Sequence, residues 1–436
     1  MRIARALLCS ILIWTVLGLA PLPAEIAKLP EPYQSLAELA RGAPPEFTAY
    51  GLLRIVEQGH LADKDARRDL IEEAFQSAAA AKFPVRMFGL PGTTSDTASG
   101  SLSRAYALKL DALSLESRAV RDVLPLNAAQ ARKLFGDIPR PMLSSLTCDD
   151  ALSYDLSDYY QALSAVVQST FTKNELVKNE HVTFLNDYME QAASPGEVAP
   201  MAQVIQSAGV TAQQRQSLLA TLGGVLENMQ TDNRSFSASL PALNSLSFPE
   251  MQGSLEKFRQ KNHGCQGDTA DPPTAKKPST PKLDSYWQSA ISQQLLEAGR
   301  KLRFAPAGSL LSETDRSTLQ WQQQVADYLN QLAGWTPDQE NSEADYYHEK
   351  CAALTALIEL VPPGPLNDKV LADYVDFVSN SNLYQQNPAE WFQEPQGLLD
   401  RLLPNIPTHE KILDAYQGSG NPVLTLEVAL ERQLDR

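Results

Sequence analysis

Apolar residues recur along this chain at intervals of three and four, the stride that gathers them on one face of an α-helix. Leu52, Ile55 and Val56 follow Pro44-Pro45 and stop at Gly59. Asp63 then stands where a cap belongs, ahead of Ala66, Leu70, Ala74 and Phe75 on one side of a second segment. Together they predict a helical hairpin of about 36 residues, the size of one unit in an α-solenoid. Thr172 with Glu175 and Thr211 with Gln214 read as capping boxes, in which each side chain satisfies a free backbone N–H of the other. The first precedes Leu176, Val177, Phe184, Leu185 and Tyr188, and the second precedes Leu218, Leu219, Leu222, Val225, Leu226 and Met229. Ser247 with Glu250 predicts a third start, and Asn387-Pro388 and Asn421-Pro422 each set a cap before a proline at the first helical position. No sustained two-residue alternation marks a sheet. The expected fold is all-α, a solenoid-like array of antiparallel helix pairs, arranged as one body or as two helical subdomains. Leu61-Ala62-Asp63-Lys64 and Leu366-Asn367-Asp368-Lys369 echo each other, but no consensus repeat runs through the chain.

Three stretches depart from this pattern. At the start, Arg2 and Arg5 precede an apolar run from Ala6 to Ala20, and Pro21-Leu22-Pro23-Ala24 closes it. A charged head, a short apolar centre and a small residue at the end make residues 1–24 a signal peptide, too short for a membrane span of roughly 20 apolar residues. The protein is therefore expected to be exported, to a periplasmic or extracellular destination. Gly89 to Ser101 is rich in Gly, Ser and Thr and reads as a loop. Residues 266–282 carry Pro272, Pro273, Pro278 and Pro281 with almost nothing apolar, a linker composition. The implied organisation is an N-terminal helical domain over 25–265, a Pro-rich linker and a C-terminal helical domain over 283–436.

Charge narrows the partners. The formal net charge is −15, and losing Arg2 and Arg5 with the leader takes it to −17. That sign disfavours general binding to nucleic acid or to anionic lipid.

Export also changes how the cysteines read. After residue 24 there are three, Cys148, Cys265 and Cys351, and oxidising conditions call for one bridge and one leftover thiol. Cys351 shares a helix face with Tyr347, Leu354, Ile358 and Val361, as a core cysteine does. Cys148 and Cys265 fall at helix ends or loops, so the expected disulfide is Cys148–Cys265. His263 beside Cys265 and His348 near Cys351 give pairs of ligand types without the four-ligand spacing of a zinc site, and no metal or cofactor is expected.

Candidate chemistry is sparse. Asp149, Asp150, Asp155 and Asp158 form an acidic cluster interleaved with tyrosines, suited to calcium or to acid–base work, or simply to capping helices. The nucleophile elbow GxSxG and the phosphate loop GxxxxGK[ST] are both missing. All tryptophans after the leader, Trp287, Trp321, Trp335 and Trp391, follow the linker and are candidate interaction aromatics. Two functions remain. One is an exported protein-interaction or scaffolding module whose partner is another exported or envelope protein. The alternative is an exported all-helical hydrolase acting on envelope polymers through the aspartate cluster or through Glu349 beside His348.

Overall fold

The computed structural model describes residues 29–90, 93, 97–245, 252–265, 286–306, 308–337 and 342–434. The expected signal peptide, the linker at 266–282 and the Ser247–Glu250 capping box lie outside the described residues. Helices dominate: α1 (Tyr33–Arg41), α2 (Pro45–Gln58), α3 (Lys64–Ala78), α4 (Ala98–Ala107), α5 (Ala112–Val123), α6 (Ala128–Asp137), α7 (Ser157–Ser169), α8 (Lys173–Val177), α9 (Glu180–Met189), α10 (Val198–Ser207) and α11 (Ala212–Asn228) come first. They are followed by α12 (Asn233–Ser245), α13 (Gln252–Lys261), α14 (Ala290–Arg303), α15 (Glu313–Arg316), α16 (Leu319–Gly334), α17 (Glu343–Leu360), α18 (Pro365–Ser379), α19 (Leu383–Gln386), α20 (Pro388–Leu402), α21 (Ile406–Gly418) and α22 (Pro422–Leu434). The all-α class is thus established. Among the described residues no helix is long and apolar enough to cross a membrane.

Local chemistry explains the starts. Asp63 accepts from the backbone N–H of Asp65 and Ala66 to open α3. The capping boxes at Thr172 and Thr211 are both formed, and Asn387 and Asn421 cap α20 and α22. Each such cap satisfies donors that the first turn leaves free and contributes about 1 kcal/mol. The run from Thr172 to Tyr188 is not one helix. Asn179 adopts a left-handed φ of 60°, which ends α8 and starts α9 at a new angle.

Strand pairing is minor but present. Met87–Gly89 (β1) pairs antiparallel with Leu152–Tyr154 (β2), with Phe88 opposite Ser153. Three residues a side are too few to show as alternation in the sequence.

Packing follows the apolar stripes. On α2, Phe47, Leu52, Leu53 and Ile55 are buried against α1, α3 and α5, and each such side chain contributes about 1.5–3 kcal/mol by leaving water. Sequence neighbours pair along the chain, α1 with α2, α2 with α3, α5 with α6, α17 with α18 and α21 with α22. Other contacts are ones that a purely one-dimensional stack lacks. α22 returns to lie on α1 and α2, and α20 packs on α4. Gly51 permits this closure, because a Cβ there would stand 3.0 Å from the Ala40 Cβ and 3.2 Å from Leu426. Phe47 meets Phe392 edge to face at 5.0 Å, and Arg54 pairs with Glu427 at 3.3 Å, so elements from both sides of residues 266–282 share one apolar core.

Candidate functional site

Cys148 and Cys265 stand at disulfide distance, with Cα atoms 5.5 Å apart, and Cys351 is a buried free thiol. Burial pushes that thiol well above its ordinary pKa, with nearby Glu394 adding to the effect. A thiol held protonated in the core is a packing group, not a nucleophile.

The aspartate cluster divides into separate structural roles. Asp150 accepts from the Thr147 N–H at 2.7 Å and from its hydroxyl at 3.0 Å, closing a turn beside the exposed Asp149. Asp155 caps the start of α7 through the Ser157 N–H and pairs with Arg86 at 2.8 Å. Asp158 is buried under three cations, Arg86 at 3.0 Å, Lys109 at 3.1 Å and Arg121 at 3.3 Å. These ion pairs engage both carboxylate oxygens of Asp158. Among the described residues no group of three or more His, Cys, Asp or Glu is placed to hold a metal ion.

The tryptophans are mostly interior. Trp335 and Trp391 are fully buried and Trp321 is 3% exposed. Trp391 donates its indole N–H to the Val378 carbonyl and Trp321 to that of Leu302. The expectation that these rings form an exposed partner surface is corrected for all three: their area is spent on the core. Trp287 alone is half-buried, stacked at 6.3 Å on Trp335, with its backbone N–H donated to the Glu349 carboxylate. That contact gives Glu349 a structural partner.

A second constellation was not read from the sequence. Ser101 on α4, His348 on α17 and Glu394 on α20 line up as hydroxyl, imidazole and carboxylate: Ser101 Oγ is 2.6 Å from His348 Nε2, and His348 Nδ1 is 2.8 Å from Glu394. Glu390 reaches Nε2 at 3.4 Å, the Gln393 amide donates to Ser101, and the Tyr286 ring stacks over the imidazole at 5.7 Å. The order resembles a nucleophile, a base and its orienting acid. Its electrostatics oppose that use. Burial disfavours a charged imidazole, but hydrogen bonds to Glu390 and Glu394 outweigh it and raise the His348 pKa. Burial likewise opposes the Glu394 charge, and its bond to His348 overcomes that and lowers its pKa. Hydrogen bonds to two carboxylates favour the protonated imidazole, which opposes a role as base toward Ser101. Ser101 is also wholly buried, so no face of its hydroxyl meets a substrate. The cluster is a polar knot that ties α4 to α17 and α20. Glu390 and Glu394, one turn apart on α20, were the signal available for it in the sequence.

The third place of interest is the region from α14 to the start of α16. Ile291, Leu296, Phe304, Leu310 and Leu319 are exposed there, Leu319 by 84% and Leu310 by 67%. Arg300, Lys301 and Arg303 crowd the last turn of α14, and none forms an ion pair with a described residue. A groove of about 880 Å³ runs alongside, lined by Arg300, Lys301, Phe304, Leu311 and Trp321, with Glu297 and Asp315 also on its wall. A basic run in an acidic chain was the available sequence signal.

What the fold and these sites define is an all-α protein with a disulfide-distance cysteine pair and an apolar, basic outer face. No family model, no curated protein and no solved structure matches this chain.

Proposed function

We propose that this is an exported protein-interaction module whose partner surface is the segment from α14 to the first turn of α16. One observation carries the reading: large apolar side chains are gathered there in the open, beside three cations without ion-pair partners among the described residues. A soluble surface scatters such residues singly; gathered, they mark a contact. Their charge is opposite to that of the whole chain, so the partner is an exported protein presenting an acidic, apolar segment. Phe304 and Leu310 pair across a single antiparallel bridge, which gives the face a fixed centre. Against the hydrolase alternative, whose candidates are the Asp149–Asp158 cluster and Glu349, stand the ion pairs of Asp155 and Asp158 and the contact of Glu349 with the Trp287 backbone.

The test is site-specific photo-crosslinking in the exporting cell. A crosslinker at position 310 or 319 should capture a discrete protein, whereas one at the equally exposed Met142 or Ile406 should not. Equal yields from all four positions, or capture of glycan alone, would overturn the reading.

A further inference from the structure

The helix α14 separates two hollows. Its outer flank borders the groove already described. Its inner flank covers a smaller hollow of about 310 Å³ between α14, α16 and α17. The floor is made by Ala352 and Ala356, one turn apart on α17 and both exposed, where most helix positions would carry longer side chains. Leu296, Phe304 and Trp287 form apolar walls. Gly299 sets the height of the roof: a Cβ there would stand 2.9 Å from the Tyr328 hydroxyl, and the tyrosine would have to shift to admit it. Arg300 and Arg303 project from the last turn of α14 and line the same hollow.

One feature of this hollow does not follow from folding alone. Basic residues in a last helical turn offset the helix dipole, which accounts for their presence. It does not account for an open apolar hollow directly beneath them. Small residues at 352 and 356 leave apolar surface facing water that a leucine at either position would have covered.

We infer that this hollow binds a small anionic amphiphile, a single apolar chain ending in a carboxylate or sulfate. The chain lies over Ala352 and Ala356 against Trp287, and the head group is held by the Arg300 and Arg303 guanidiniums, whose planar donors match an oxyanion. The volume lies at the lower end for small-molecule sites, which selects one chain and excludes a two-chain lipid. The hollow shares Leu296, Arg300, Arg303 and Phe304 with the proposed partner surface and is set apart from it by Trp287, Ala352 and Ala356, so the variants are chosen to separate the two.

Dodecanoate, below its micellar concentration, is the probe, and dodecanol is the same chain without the charge. Titration is followed by calorimetry and by tryptophan emission, to which Trp287 in the wall contributes. Wild-type protein should bind one dodecanoate saturably, and dodecanol about tenfold more weakly. Arg300→Gln with Arg303→Gln should remove that preference and leave dodecanol binding unchanged. Ala352→Leu with Ala356→Leu should abolish both while circular dichroism and the thermal midpoint stay at wild-type values, since both positions are exposed and leucine suits a helix. Leu310→Asp with Leu319→Asp should leave dodecanoate binding intact, which separates this site from the partner surface. Absence of saturable binding, equal affinity for the two probes, or binding that survives filling of the hollow would each overturn the inference. Tighter binding to two-chain anionic vesicles than to free dodecanoate would overturn it too, by assigning the face to a membrane.

Discussion

The knot around His348 and the face around α14 use the same materials to opposite ends. Both combine aromatic rings with charged side chains. In the knot every charge faces an opposite one within hydrogen-bonding distance: the imidazole sits between Glu390 and Glu394, and Tyr286 seals it from above. On α14 the guanidiniums of Arg300 and Arg303 are exposed beside Phe304 and make no ion pair with a described residue, although Glu297 and Asp315 line the same groove as Arg300. The dense cluster, which looks most like a catalytic site, is spent on holding three helices together. The sparse one keeps its valence open. A site is therefore marked less by how many reactive groups converge than by which of them the fold leaves unsatisfied.

The strongest way to break that comparison is Glu394→Ala. If the knot is structural, the variant leaves a buried His348 with half its compensation and loses about 3–5 kcal/mol, read from urea denaturation at pH 6. Arg300→Ala, at the open face, should shift stability by no more than about 0.5 kcal/mol in the same assay. Comparable losses at the two sites would erase the distinction.

Proton linkage gives the next largest effect. His348 has a raised pKa in the folded state. Its contribution is whole below the unfolded value near 6.5 and is lost as pH rises through the folded pKa. The lowered Glu394 acts at the other end, losing its contribution as pH falls below 4.5 and through its folded pKa. Glu116 on α5 adds to the alkaline side. Burial, with nearby Asp111 assisting, pushes its carboxyl up to about 7. From pH 4.5 upward the unfolded chain ionises this group more readily than the native one, so stability falls until about pH 7. Maximum stability is expected in the mildly acidic range. Glu116→Gln should recover about 2–3 kcal/mol at pH 8 and nothing at pH 4, measured by denaturation at both. An equal gain at both values would mean that burial of Glu116 is not coupled to its proton.

Much of the helical layer is legible in the sequence. Asp63, Thr172, Thr211, Asn387 and Asn421 announce helix starts because a cap is a local event, decided within four residues. The pairing of Cys148 with Cys265, found at disulfide distance, was legible from the cysteine count and from Cys351 sitting in an apolar stripe. What could not be read is whatever depends on distance. Asp158 looks like a free carboxylate until Arg86, Lys109 and Arg121 arrive from 37 to 72 residues upstream. Ser101 and His348 meet across 247 residues. Trp321, Trp335 and Trp391 have the composition of a binding face, and only the packing of α14 and α16 to α20 decides that they point inward.

Lys350 is the exception that tests the rule most finely, because it is a charge turned inward with no carboxylate in ion-pair contact among the described residues. It is 7% exposed, and its ammonium donates to the Tyr346 hydroxyl at 2.9 Å and to the Trp335 carbonyl at 3.3 Å, with the Phe377 ring at 4.7 Å. Burial lowers its pKa. If an unsatisfied charge marks function wherever it lies, the hollow of about 370 Å³ beside it, rimmed by Glu343, Asp373 and Asp376, would be a site. The local bonds argue otherwise. Tyr346 already donates to the Trp335 carbonyl at 2.8 Å, so neither group depends on the lysine, and the rings supply the rest of its compensation. Lys350→Met keeps the stem and its ring contacts while removing the cost of dehydrating an ammonium. It should leave stability unchanged or raise it by about 1 kcal/mol in urea at pH 7. A loss larger than 1 kcal/mol would show that the ammonium answers to the carboxylates across the hollow. The contrast between a closed interior and an open α14 face would then have to admit a second unsatisfied site.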